Sequence, residues 1–301
     1  MAFLSSFLSE DYVSFLYHRH SIRVAYKDTF GTSLHLMFPR NLNEKLIWLS
    51  LYYQDPNIPL CADKKRVREY VVSKCGLPSS VLVPLLEVYR SAEEIDFDKL
   101  PQRFVLKCNH GCGYNILVPD KYIADYSEIR AKLTKWLNED YRGAISETHY
   151  LEINPHLILC EEYLPAFAQG TSIVDYKIVC LNGKPVFCHV CYNRDEEGNA
   201  ESCAFTLDWI QFEGVPVDIK KPQSFDLMIE YAKKLSVDFP FVRVDFYDVA
   251  GKLYFGEMTF TPYGNMITYF SKETLDFYGK MLKLPSKNRN EFPFIHNCHL
   301  S

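Results

Sequence analysis

Apolar residues recur at helical spacing over residues 43–53 (NEKLIWLSLYY), and the run stops ahead of Asp55-Pro56. Residues 1–60 as a whole read as mainly helical. Asp63 can cap a second helix reaching to about residue 74, with Gly76 as its stop signal. Residues 81–88 form an apolar, β-rich run. From Arg103 the pattern changes to α+β. A strand is predicted at 104–107, then a glycine-bearing loop, a second strand at 115–118 and an amphipathic helix at 127–138. Residues 156–160 read as a buried strand that runs into Glu161-Glu162-Tyr163-Leu164. The last third is strand-rich. Residues 176–181 and 185–192 flank Asn182-Gly183, a strong hairpin turn. A helix is expected at 224–236, a second strand pair at 241–247 and 253–259, and a closing helix at 272–282. There is no internal repeat and no low-complexity stretch.

Composition narrows the class. A chain of 301 residues with 48% hydrophobic and 24% charged residues is an ordinary globular sequence with room for about two units. The net charge of −5, with no basic block, argues against nucleic acid as partner, since phosphate binding needs concentrated Lys and Arg. The opening MAFLSSFLSEDY has no basic stretch and turns acidic at once, so no secretory leader is expected and the ten cysteines read as reduced thiols. No apolar run approaches the ~18 residues of a spanning helix. The expected location is the cytoplasm, with a peripheral place at the inner face of the membrane left open. Cys108-x₃-Cys112 and the CxxC of Cys188 and Cys191 lack finger-like spacing, and buried thiols explain them better than zinc does.

The densest chemistry lies in RVDFYDVAGKLYFGEMTFTP, residues 243–262. Side chains alternate along a strand, so Arg243 and Asp245 share one face and Glu257 and Thr259 share a face of the return strand. Two carboxylates can then converge beside an arginine, which suits magnesium; a surface hairpin with solvated charges is the plain alternative. Lys107 precedes a loop with Gly111 and Gly113, whose backbone N–H groups can approach a polyphosphate, although no Walker A sequence follows. Asp63-Lys64 at a helix start, Glu161-Glu162 at a strand end and Asp175-Tyr-Lys177 before the hairpin turn are each ordinary alone.

Their order is not ordinary. ADKxxVRxYV (62–71), FVLKCNHGxG (104–113), DYKxxCxNGKP (175–185) and DFPFVRVDFY…GKLYFGEMTFTP (238–262) resemble the ATP-grasp superfamily, in particular its teichuronopeptide-biosynthesis, TupA-like branch, over residues 40–280. The resemblance implies two α+β subdomains clasping ATP: a mostly helical region at 1–100, a lid with the glycine loop at 101–165, and a C-terminal subdomain with the magnesium site at 166–301. Lys64 and Lys107 would contact the α- and β-phosphates, and the loop from His110 through Gly111 and Gly113 would close over the triphosphate. Glu161, with Glu162, Tyr163 and Leu164, would hold adenine, and Asp175 the ribose. Asp245 and Glu257 would bind Mg²⁺, with Thr259 at the position where many relatives carry Asn. Lys177, Arg194 and Arg243 would be the catalytic cations facing the γ-phosphate. Cys112 stands where this branch usually has Ser.

The implied reaction joins a carboxylate to an amine through an acyl phosphate, with ADP and phosphate as products. The acid would be a uronic acid of a cell-surface polysaccharide or its precursor, and the amine an amino acid or similar. Residues 195–223 and 262–270 are the expected acceptor pocket. The rivals are a kinase on the same scaffold, a glycosyltransferase using Asp96-Phe97-Asp98 as a DxD motif, and a nucleotide-binding protein without turnover. The complete set Lys64, Lys107, Asp245 and Glu257 speaks against the last.

Overall fold

The computed structural model describes residues 10–141, 143, 146–164, 174–194 and 199–287. The chain opens with helices α1 (Glu10–Phe30), α2 (Leu42–Tyr52), α3 (Asn57–Ala62) and α4 (Arg66–Glu69), and a π turn (Tyr70–Lys74) continues α4. The caps follow local chemistry. Asn41 accepts from the Glu44 N–H at the start of α2, and Asp63 accepts from the N–H groups of Lys65 and Arg66.

Among the described residues ten strands then build two antiparallel sheets. The small sheet runs β1 (Leu85–Tyr89), β4 (Ile158–Glu162), β2 (Phe104–Cys108), β3 (Asn115–Val118). Along β2 and β4 the side chains alternate. Phe104, Leu106, Ile158 and Cys160 turn towards helix α5 (Tyr126–Leu137), where Ile129 and Leu133 meet them in one buried cluster. Lys107 and Glu161 lie on the opposite face. The large sheet runs β10 (Lys252–Thr259), β9 (Phe241–Val249), β5 (Asp175–Leu181), β6 (Lys184–Tyr192), β7 (Glu201–Phe205), β8 (Gln211–Glu213). β5 and β6 join through Asn182 and Gly183 at φ 48° and 75°, the two left-handed positions a tight hairpin turn requires.

One face of the large sheet is apolar. Ile178, Cys188, Val190, Val242, Val244 and Phe246 are buried there beneath helix α6 (Phe225–Ser236) and the 61–81 segment. The other face is apolar only at one end, where Val179, Leu181, Phe187 and Phe241 pack under α2 and helix α7 (Lys272–Met281). Beyond that end the same face carries charge.

The 1–100 region packs partly on itself, in a cluster of Phe15, Ile22, Tyr26, Ile47, Trp48 and Leu51, and partly against both sheets. Val67, Tyr70 and Val71 lie in the large-sheet core, while β1 pairs with β4 in the small sheet. The small sheet therefore begins earlier in the chain than residue 101. Asp96-Phe97-Asp98 sits at a short 3₁₀ turn, capped by Asp96 and with Phe97 buried. Among the described residues no helix is long and apolar enough to cross a membrane.

Candidate active site

The charged end of the large sheet is set by register. Lys177 on β5 stands opposite Asp245 on β9, and Asp175 stands opposite Tyr247. Regular pairing would put Glu257 on the core face, opposite Val244. A β-bulge between Phe255 and Glu257 shifts the register, so that Glu257 pairs with Asp245 and Thr259 with Arg243. Gly256 makes this possible: a Cβ there would lie 3.1 Å from the Asp245 carbonyl oxygen and 3.2 Å from the Tyr247 ring.

The result is an interleaved charge cluster. Arg243 donates from Nε to Asp245 Oδ1 at 2.7 Å and from Nη2 to Oδ2 at 2.8 Å. Lys177 Nζ reaches the same Oδ2 at 2.6 Å and lies 3.8 Å from Asp175 Oδ2. Arg194 closes on Asp175 at 2.5 Å. Glu257 Oε1 accepts from Arg243 at 3.3 Å and from the Thr259 hydroxyl at 2.9 Å, and that hydroxyl in turn accepts from Arg243 at 3.0 Å. Burial is the largest influence and opposes the charges on Lys177 and Arg243, but the surrounding anions together outweigh it, Asp245 with Asp175 for Lys177 and Asp245 with Glu257 for Arg243, and both pKa values are raised. Three carboxylates thus meet three cations.

This set fits magnesium conditionally. Glu257 is open, with its side chain 36% exposed, and Asp245 supplies hard oxygens that are 2% exposed and already taken by cations. The Thr259 hydroxyl is engaged in holding Glu257. Among the described residues no group of three or more His, Cys, Asp or Glu is arranged to hold a metal ion, so substrate oxygens and water would have to complete the shell. On β6 Cys188 and Cys191 lie three positions apart, on opposite faces of the sheet.

The small sheet supplies the other wall. Lys107 Nζ is 2.7 Å from Glu161 Oε2, while Glu161 Oε1 takes Arg68 Nη1 at 3.0 Å. Lys64 Nζ donates to the Gly111 carbonyl at 2.6 Å, and its backbone N–H to the Asn109 carbonyl at 3.0 Å. Gly111 and Gly113 both sit at positive φ, 75° and 76°. The buried phenol of Tyr150 links the walls: burial first, then Glu257, the loop residue Cys112 and Glu147 push its pKa far up.

The expected adenine segment sits at the edge of this wall. Glu162 is exposed and its N–H donates to the Pro84 carbonyl, Tyr163 is half-buried, and Leu164 packs with Val83 and Tyr254. His110 turns its ring inward. Its Nε2 donates to the Trp136 carbonyl at 3.0 Å at the end of α5, and its ring stacks on His156 at 3.6 Å. The ring is fully buried inside the small-sheet unit.

Of the expected acceptor segments, residues 195–198 lie outside the described residues. Residues 262–270 do reach the cluster: His189, opposite Lys177, stacks on Tyr269 at 4.6 Å, and Tyr263 stands half-exposed beside them. Tyr263 and Tyr269 lie in the expected acceptor segment, whereas the sequence assigns no role to Arg68, Tyr150 and His189. Only Arg68 lay inside a recognised string.

The profile of a family described as TupA-like ATPgrasp matches residues 44–283. No curated protein matches the chain. Among solved structures it is similar to D-alanine–D-alanine ligase from Bacillus anthracis (17% identity over 66% of this chain and 57% of that one, TM-score 0.39). It is similar to the enzyme of the same name from Helicobacter pylori (15%, 75% and 62%, TM-score 0.44). A third is N5-carboxyaminoimidazole ribonucleotide synthetase from Thermus thermophilus (14%, 69% and 48%, TM-score 0.41). The chain spans about half to two-thirds of the length of these proteins. The four ordered strings, the two facing antiparallel sheets and the profile match agree: the chain belongs to the TupA-like ATP-grasp family.

Proposed function

We propose that the protein is an ATP- and Mg²⁺-dependent carboxylate–amine ligase. The observation that carries this reading is the interleaving of Lys177, Arg194 and Arg243 with Asp175, Asp245 and Glu257 on one face of a sheet. Bringing an anionic carboxylate up to an anionic γ-phosphate is first a problem of charge. Cations held in fixed positions lower its barrier without reorganising.

In this reading Lys64, Lys107 and the loop backbone around Gly111 and Gly113 hold the polyphosphate, while the 161–164 strand end and Asp175 hold the nucleoside. Lys177 and Arg243 move from Asp245 onto the γ-phosphate and the acid, and Arg243 can use its fork on either. A carboxylate oxygen attacks the γ-phosphorus, the bond to ADP breaks, and an acyl phosphate forms. The amine nitrogen then attacks the acyl carbon, loses a proton, and phosphate departs with the C–O bonding pair. Asp245 and Glu257 would hold Mg²⁺, which supplies Lewis-acid polarisation of phosphoryl oxygens.

We take the acid to be a uronic or other sugar acid of a cell-surface polysaccharide or its precursor, the amine to be an amino acid, and the site of action to be the cytoplasmic side of the membrane. The half-exposed Tyr263 ring supports this reading of the acid, since it offers an apolar face beside the cations.

The test is product analysis with ATP, Mg²⁺ and a panel of sugar acids against amino acids. ADP and free phosphate, formed only when both partners are present, are expected. ADP with a phosphorylated acceptor and no free phosphate would overturn the ligase in favour of a kinase. Nucleotide binding without turnover across the panel would favour the non-catalytic alternative.

A further inference from the structure

Arg68 has no assigned part in the reaction above. Its helix belongs to the large-sheet body, because Val67 before it and Tyr70 and Val71 after it are buried in that core. Its guanidinium nevertheless reaches the small sheet. Nη1 donates to Glu161 Oε1 at 3.0 Å and Nη2 to the Val83 carbonyl at 2.7 Å. The other oxygen of Glu161 holds Lys107 Nζ at 2.7 Å.

One carboxylate, its side chain 8% exposed, therefore has two counter-cations. Lys107 is the freer of them, at 28% exposed against 18% for Arg68. If Lys107 turns to a phosphate, Glu161 gives up one partner. A buried carboxylate left with no partner is costly, so the exchange is tolerable only if the second cation stays.

We propose that Arg68 is the positioning residue of the nucleotide site: it keeps Glu161 paired so that Lys107 is free to move onto a polyphosphate. Because it is carried by the large-sheet body, it also pins the nucleotide edge of the small sheet against that body. Lysine does not replace it fully. Only a planar fork serves Glu161 and the Val83 carbonyl together. The inference rests on the ATP-binding reading.

The experiment measures the affinity of the purified full chain for ADP and for adenosine, with thermal unfolding alongside. Arg68→Met is expected to weaken ADP about tenfold or more and adenosine far less, and Arg68→Lys to recover part of the loss. In a Glu161→Gln background the same Arg68→Met change is expected to alter ADP affinity less than about twofold, because no buried charge is left to strand. Should Arg68→Met fail to fold, Arg68→Lys carries the same comparison in both backgrounds. Equal losses for ADP and adenosine, or an undiminished effect in the Glu161→Gln background, would make Arg68 merely structural and overturn the inference. Unchanged ADP affinity in Arg68→Met overturns it alone, whereas a wild-type protein that binds no ADP overturns the ATP reading itself.

Discussion

Asp245 is the residue on which the site turns. Both its oxygens are held by buried cations, so a divalent ion competes with Arg243 and Lys177 for them. Binding of metal should therefore follow nucleotide, whose phosphates draw the cations away. Manganese titrated without nucleotide, followed by EPR, is expected to bind weakly, and Lys177→Met to bind it at least several-fold more tightly while losing turnover. No gain in that variant would refute the exchange. Asp245→Asn and Glu257→Gln are both expected to abolish ATP turnover with the fold retained, but their stabilities should differ. Asp245→Asn leaves two buried cations short of a partner and should cost about 3–5 kcal/mol. Glu257, one-third exposed, should cost far less. Urea unfolding of the two variants separates them, and near wild-type turnover in both would sink the site assignment.

The hairpin of β9 and β10 shows what an element decides. Alternation alone puts Arg243 with Asp245 and Glu257 with Thr259, but does not say that the two pairs share a face. The bulge at Gly256 makes them share it. Gly256→Ala should lose about 1–3 kcal/mol, because the new methyl meets the Asp245 carbonyl and the Tyr247 ring. Deleting Gly256 takes out the extra residue of the bulge, so regular pairing still sets Glu257 opposite Asp245 and phosphate release should be retained. Loss of phosphate release in the deletion variant would show that the bulge shapes the site beyond setting its register. The Asn182-Gly183 turn lies at the other extreme, since two residues of local chemistry set it and the strands on either side follow.

On the scale of the molecule, three buried histidines tie stability to pH. Burial lowers His149 to about 3, burial and then His156 lower His110 to about 4, and burial with Arg243 and Lys177 lowers His189 well below its ordinary value. Each stays neutral when folded but takes up a proton below about 6.5 when unfolded. The unfolded chain thus binds more protons, and stability is fully present above pH ~6.5 and falls as pH drops towards 4, by about 1.4 kcal/mol per histidine per pH unit. Urea midpoints at pH 7 and pH 5 check this, and a midpoint no lower at pH 5 would contradict it. The same scale governs the cleft. The 63–68 segment rides on the large-sheet core while Lys64 and Arg68 grip the small sheet, so the two walls are coupled by hydrogen bonds.

By itself the sequence determined the helices of the first sixty residues, the α5 and α6 helices, both hairpins of the large sheet and the order of the four strings. These depend on local periodicity, caps and turn residues, which neighbours in sequence decide. β7 and β8 were not legible as strands, because their short segments gain strand character only by pairing. Nor was the pairing of Arg68 with Glu161, 93 positions apart, or the inward turn of the His110 ring onto α5. The tertiary structure alone decided that Glu257 faces Asp245, since the register between two strands is fixed by which face the core claims and not by the composition of either strand.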